Sequence, residues 1–253
     1  KLWERARPDA VHVATEGPLG LTALWAAREL GIPVISTYHT NFAAYGLHYG
    51  YGWFKRQVLE YFRYFHNRTA GTLVPSETVR NALEAAGFER VDVLARGVDT
   101  DLFSPQRRSA QLRQAWDVAA DTPVIAYVGR IAAEKNLPLT IEAFLAFREK
   151  VPQARMVLVG DGPLREQLQR QHPEFHFAGM RHGEDLAAHY ASADGFFFAS
   201  ETETFGNVVT EAMASGLFVL AYDYAAAARH ITDGQNGFTV PLGDREAFLA
   251  KAR

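Results

Sequence analysis

The 253-residue chain has no cysteine. Disulfides, thiolate metal sites and cysteine nucleophiles are thereby excluded together, and the absence is compatible with a cytoplasmic setting. Long apolar runs are missing as well. No stretch approaches the ~18 residues of a membrane-spanning helix, and the opening Lys1-Leu2-Trp3-Glu4-Arg5 is no signal peptide. Charge of one sign is scarce: the net charge is -3 and the pI about 6.3, so no general field for nucleic acid is expected.

What is present is apolar residue in short runs, 48% of the chain, enough for two domains of modest size. Strand-length runs at 10–14, 33–38, 71–75, 91–94, 124–128, 155–159, 195–199 and 217–222 recur along the chain. Several are followed by helical patterns, and those at 21–30 and 77–86 close on Gly31 and Gly87. This rhythm predicts an α/β fold of doubly wound parallel sheets. Residues 96–105 break it and read as a linker, which sets the domains at 1–104 and 105–253. Lys1 in place of an initiator methionine, and a final helical pattern at 248–253, lead to the expectation of an internal fragment with both domains incomplete.

The most informative stretch runs from Ser200 to Gly216. An apolar run precedes it, another follows it, and Val208, Val209, Ala212 and Met213 recur at helical spacing between them. The unit reads strand, polar turn, helix, strand, with the turn at the carboxyl edge where open α/β sheets bind ligands. Glu203 lies just before the helix and Glu211 about two turns into it. A helix start with Gly206 in it suits an anion, and carboxylates suit hydroxyls, so a ligand bearing both phosphate and many hydroxyls fits. The plainer reading is that Glu203 caps the helix and Glu211 is a solvated side chain. Spacing alone leaves both open.

The string Glu203-Thr204-Phe205-Gly206-Asn207-Val208-Val209-Thr210-Glu211-Ala212-Met213-Ala214-Ser215-Gly216 resembles the donor-site signature of group 1 (family 4) retaining glycosyltransferases. The resemblance implies the GT-B fold of two Rossmann-like domains: an acceptor-side domain at 1–104 and a donor-nucleotide domain at 105–253. It implies that Glu211 holds ribose hydroxyls, that Glu203 with Thr204, Phe205, Gly206, Asn207 and Val208 meets the donor, and that His39 reaches the donor sugar from the first domain. It also implies an acceptor-side loop at Glu16, Gly17 and Gly20.

Gly129-Arg130-Ile131-Ala132-Ala133-Glu134-Lys135 stands where the family has its diphosphate clamp. Arg130 and Lys135 flank a strand-to-helix turn, where an arginine fork and a lysine point charge can hold a diphosphate without metal. The alternative is a surface pair with Glu134 or Glu142. Met180 and Arg181 stand where the family's backbone edges the nucleotide base. Gly160-Asp161-Gly162-Pro163 is no dinucleotide fingerprint, because the third glycine position is Arg165. Asp99-Thr100-Asp101 matches a metal-binding Asp-x-Asp but sits in the linker, where turn and capping roles are expected. The aromatic and basic stretch 45–68 reads as a core helix with basic ends in preference to a lipid-facing surface. Tyr222-Asp223-Tyr224-Ala225-Ala226-Ala227-Ala228 replaces a glycine-rich loop of the wider family, leaving that loop's shape open. It is similar to a narrower bacterial branch that includes GDP-mannose-dependent α-mannosyltransferases.

The expectation is therefore a retaining glycosyltransferase that needs neither metal nor cofactor. It moves a hexose, mannose being favoured, from a nucleotide diphosphate sugar such as GDP-mannose to a lipid or glycan acceptor. Its setting is cytoplasmic with peripheral membrane contact, and nucleic acid is no partner. A nucleotide-sugar epimerase of similar fold and a non-catalytic sugar-nucleotide-binding module are the rivals.

Overall fold

The strands of the second half are apolar at nearly every position, as in sheets covered on both faces. β5 (Val124–Val128) and β8 (Gly195–Phe198) are buried throughout, and β6 (Arg155–Val159) and β9 (Phe218–Tyr222) are buried after their first residue. In the computed structural model, which describes residues 2–38 and 55–253, β7 (His176–Gly179) and β10 (Gly237–Val240) complete a six-stranded sheet. Its order is β10-β9-β8-β5-β6-β7 and every pairing is parallel. The pairs Ile125↔Gly195 and Ala126↔Phe196 join its two halves.

Helix Leu137–Lys150 begins at Asn136, whose left-handed backbone (φ 49°) turns the chain out of the preceding loop. It buries Leu137, Leu139, Ile141, Ala143 and Phe144 against the sheet. Tyr127, Phe196 and Phe198 stack through the core beneath. Fully burying side chains of this size contributes about 1.5–3 kcal/mol each.

The first half forms its own four-stranded parallel sheet in the order β1-β2-β3-β4, from β1 (Val11–Val13), β2 (Val34–Thr37), β3 (Gly71–Val74) and β4 (Val91–Val93). Helices Pro18–Glu29, Lys55–His66 and Glu77–Ala85 accompany it, the last capped by Ser76, whose Oγ accepts the Val79 amide at 3.3 Å. Helix Lys55–His66 turns Phe62, Phe65 and His66 into the core, and the Arg68 guanidinium lies 3.5 Å from the centre of the Tyr64 ring. Its apolar face thus belongs to the fold. Packing divides the chain into units at 1–96 and 97–253. The break in the strand–helix rhythm puts the boundary at 104/105; Val98, Leu102 and Phe103 pack on the second unit's core, so the linker lies with that unit.

Candidate active site

In the six-stranded sheet the chain goes outward from β5 through β6 to β7, then returns to β8 on the other side of β5. The loops after β5 and β8 therefore leave in opposite directions, and a crevice forms between them at the carboxyl edge. The loop after β5 carries Arg130 and Lys135. The loop after β8 carries Ser200 to Gly206.

Side chains stitch the two loops together. Lys135 Nζ donates to Glu203 Oε1, and Ser200 Oγ donates to the same oxygen at 2.7 Å. Both members of the ion pair are mostly buried, 13% and 16% exposed. Thr202 Oγ1 donates to the Glu134 carbonyl at 3.2 Å, and Asn136 Nδ2 donates to Glu201 Oε1 at 3.1 Å. Arg130 Nη1 donates to the buried Glu134 carboxylate at 3.1 Å, while the arginine itself stays 57% exposed. The two cations thus differ: Lys135 is held inside the crevice and Arg130 is anchored at its mouth. Below them Tyr127 donates to the Arg130 carbonyl at 2.9 Å. Burial, and then the charges of Glu203 and Glu134, push its phenol far above the ordinary range.

Helix Asn207–Ala214 starts behind Glu203. Its N-cap is Gly206 (φ 86°, ψ 60°), a left-handed conformation that favours glycine, and no side chain caps it. Glu203 therefore does not act as the cap. Glu211 is not simply solvated either. It is half-buried and accepts a 2.9 Å hydrogen bond from Tyr190, and burial raises its pKa above the ordinary value although that bond lowers it. Tyr190, fully buried, is pushed well above its usual range by burial and then by the Glu211 charge. Phe205, next to the cap, is buried and meets the His230 ring edge-on. Val208 packs against the core from partial exposure.

Residues 122–253 match the family model described as glycosyl transferases group 1, and residues 1–102 match glycosyltransferase family 4. The chain belongs to the group 1 glycosyltransferases. It is 38% identical to a GDP-mannose-dependent alpha-mannosyltransferase of Mycobacterium tuberculosis over 97% of its own length and 63% of that protein's. It is 35% identical to the sulfoquinovosyl transferase SQD2 of Arabidopsis thaliana, covering 98% of itself and 50% of the relative. The chain thus spans less than two thirds of each. The solved structure of Anabaena HepE in complex with UDP superposes with a TM-score of 0.80 at 24% identity, over 99% of this chain and 70% of that one. The fold is GT-B, two α/β units with all-parallel sheets.

Met180 is 57% exposed at the end of β7. Arg181 donates to the Ala178 carbonyl through Nε and Nη2 at 2.9 and 2.8 Å, and to Asp185 at 3.0 Å, so its guanidinium fastens that strand end. In the first unit Glu16 follows β1 with its carboxylate buried and bound to His66 Nε2 at 2.9 Å. Gly17 is the N-cap of helix Pro18–Glu29. Gly20 packs on the Thr15 carbonyl, where an added Cβ would lie 2.0 Å away. His39 lies outside the described residues, as do Tyr45 to Phe54 of the aromatic stretch. Asp99 Oδ1 accepts the amides of Asp101 and Leu102 at 3.0 Å each, a turn-closing role.

Several residues of the site carried no local signal. Tyr127 and Tyr190 are ordinary residues of an apolar run and a helix: Tyr127 bonds the Arg130 carbonyl beyond its own strand, and Tyr190 bonds Glu211 on the next helix. Tyr224 lay inside the segment that departs from the wider family, but its bond to the Glu203 turn was not legible there. A cavity of about 540 Å³ beside helix Ala110–Ala115 is a weaker candidate. Its two arginines are engaged in structure: Arg108 with Asp194 and two carbonyls, Arg113 with Asp194 and four carbonyls.

Proposed function

We propose that this chain is the donor-binding and acceptor-side part of a retaining, metal-independent glycosyltransferase. It moves a hexose, mannose in the reading we favour, from a nucleotide diphosphate sugar to a hydroxyl of a lipid or glycan. The observation that carries the proposal is the convergence of Arg130, Lys135 and Glu203 at the β5/β8 switch point, with Glu211 on the adjoining helix. GDP-mannose is favoured because the relative that is 38% identical is named for it.

In this reading Arg130 and Lys135 hold the diphosphate, and charge growing on the leaving phosphate is met by these preset cations and by the start of helix Asn207–Ala214. Glu211 accepts ribose hydroxyls. Glu203 accepts sugar hydroxyls while its carboxylate keeps Lys135 in the crevice. His39 serves the donor sugar from the first unit, and Glu16, Gly17 and Gly20 shape the acceptor side. Met180 and Arg181 border the base. No helix among the described residues is long and apolar enough to cross a membrane. We place the reaction in the cytoplasm, with peripheral contact at the membrane's inner face where the acceptor is a lipid.

The test is a thermal-shift screen of the full-length protein with GDP-mannose, UDP-glucose and other nucleotide diphosphate sugars, followed by product analysis. GDP-mannose should raise the melting temperature and yield a mannosylated acceptor. Release of free nucleoside diphosphate with a rearranged sugar and no acceptor would support the epimerase. Donor binding by the complete protein without transfer would support the non-catalytic module.

A further inference from the structure

The loop after β9 braces the Glu203 turn from a third strand end. Tyr224 donates its hydroxyl to the Ser200 carbonyl at 2.8 Å and accepts the Glu203 amide at 2.9 Å. One phenol thus closes both ends of the Ser200–Glu203 turn. The next residues hold the brace in place: Ala225 takes a left-handed backbone (φ 53°), and the Ala226 amide donates to the Phe205 carbonyl at 2.8 Å. The loop is therefore pinned on both flanks of Thr204. The Tyr224 ring packs against the core beneath the sheet edge. Burial raises its phenol above the ordinary value, so the proton given to Ser200 stays in place through neutral pH.

We propose that Tyr224 is a positioning residue for Glu203, fixing where the carboxylate sits relative to Lys135 and to a donor sugar. The proposal rests on the reading of this crevice as the donor site. The carboxylate itself accepts from Ser200 Oγ and Lys135, so the same serine is tied to Glu203 through its side chain and to Tyr224 through its carbonyl. Removing the phenol oxygen leaves a carbonyl and an amide without that partner in a partly buried turn, and they recover bonds only if the turn moves. A displacement of an ångström at a sugar-contacting carboxylate reduces turnover by up to about a hundredfold. The diphosphate cations stand on the β5 loop, which Tyr224 does not bond, so their hold on a nucleotide should persist.

The experiment compares full-length native protein, Tyr224→Phe, Glu203→Gln and the double variant. GDP is the binding probe, GDP-mannose the transfer probe, and urea unfolding is followed in parallel. For Tyr224→Phe the proposal expects at least a tenfold fall in kcat for mannose transfer, on the scale of about a hundredfold for such displacements. The dissociation constant for GDP should stay within about twofold, since the phenol bonds the Glu203 turn and not the phosphate-holding cations. In the Glu203→Gln background the same change should lower kcat by less than about threefold, because coupled residues are non-additive. Full multiplication of the two effects, or an unchanged kcat in Tyr224→Phe, overturns the proposal. The unfolding cycle needs no donor. Should the native protein transfer sugar from none of the screened nucleotide diphosphate sugars, the donor-site reading falls, and this cycle alone decides the brace: coupling between Tyr224 and Glu203 sustains it and additivity overturns it.

Discussion

At the scale of single residues, the site is a set of charges whose partners already occupy it. Arg130 and Lys135 each hold a carboxylate, Glu134 and Glu203 respectively. A diphosphate at the crevice would share or replace those partners. Arg130→Ala and Lys135→Ala should each weaken GDP binding by about tenfold while affinity for guanosine changes little, since hydrogen bonds to charged groups contribute roughly 1.5–3 kcal/mol. Titration calorimetry with both ligands checks this, and equal losses for nucleoside and nucleotide would remove the clamp. The glutamates should separate in a different way. Glu203→Gln releases Lys135 from its carboxylate, so GDP affinity should hold or rise while kcat falls. Glu211→Gln should raise the donor KM more than it lowers kcat, a loss on the order of 1–3 kcal/mol in binding shared by ground and transition states. Stability moves the opposite way at Glu211. Its raised pKa means the folded state holds the proton more tightly than the unfolded chain, so stability is lost as pH rises from the ordinary value of 4.5 through the raised one. Glu211→Gln, with Tyr190 still able to donate, should abolish that loss and raise the urea midpoint at pH 7. An unchanged pH profile of unfolding would show that the burial has no such effect.

At the scale of elements, the strand–turn–helix units were legible because their signals are local. The apolar run 195–199, the helical spacing of Val208, Val209, Ala212 and Met213, and Gly216 at the end all lie within one unit. Helix Leu137–Lys150 was equally plain, with its cations just ahead of it. What stayed hidden was lateral: Tyr190 on Glu211, Tyr224 on Glu203 and Asn136 on Glu201 join residues that only sheet order brings together. The stretch 160–163 shows the same limit. Its composition excluded a dinucleotide loop without saying what the glycines do. In the structure the Gly129 amide donates to the Val159 carbonyl, the Ile131 amide to Asp161, and the Gly160 amide to Gly179, so three strand-end loops interlock. An added Cβ at Gly160 (φ 136°) would lie 1.9 Å from the Gly129 carbonyl oxygen. Gly160→Ala should therefore destabilise by on the order of 3 kcal/mol or more, from backbone strain and overpacking together. A urea midpoint within error of native would contradict this. Ala225 is the reverse case, an alanine held at φ 53°. Ala225→Gly should raise stability by about 0.5–1 kcal/mol, the left-handed penalty outweighing the entropy of an added glycine; a lower melting temperature would count against it.

At the scale of the whole molecule, a net charge of -3 supplies no broad positive field, so the charge facing a diphosphate has to be local. Arg130 and Lys135 are local in that sense, and each donates to a carboxylate, Glu134 and Glu203 respectively. The acidic pair that would suggest a metal instead, Asp99 and Asp101, is engaged differently: the Asp99 carboxylate closes its own turn by accepting two amides. His172 and His176 have ligand-like spacing, yet the His172 ring stacks on Phe175 at 4.7 Å and His176 lies against Trp116 at 6.1 Å. Among the described residues no group of three or more histidine, aspartate or glutamate side chains converges. On the proposed reading of Arg130 and Lys135 as the diphosphate clamp, the full-length protein should transfer mannose in excess chelator at a rate within about twofold of that in magnesium, because two cations at the developing charge would then do the work otherwise given to a Lewis acid. The decisive comparison is the Lys135→Ala variant, in which added magnesium should fail to restore GDP binding. Loss of transfer in chelator, recovered with magnesium or manganese, would instead mean that a metal shares the diphosphate with Arg130 and Lys135, and Asp99 and Asp101 would return as the residues to substitute first.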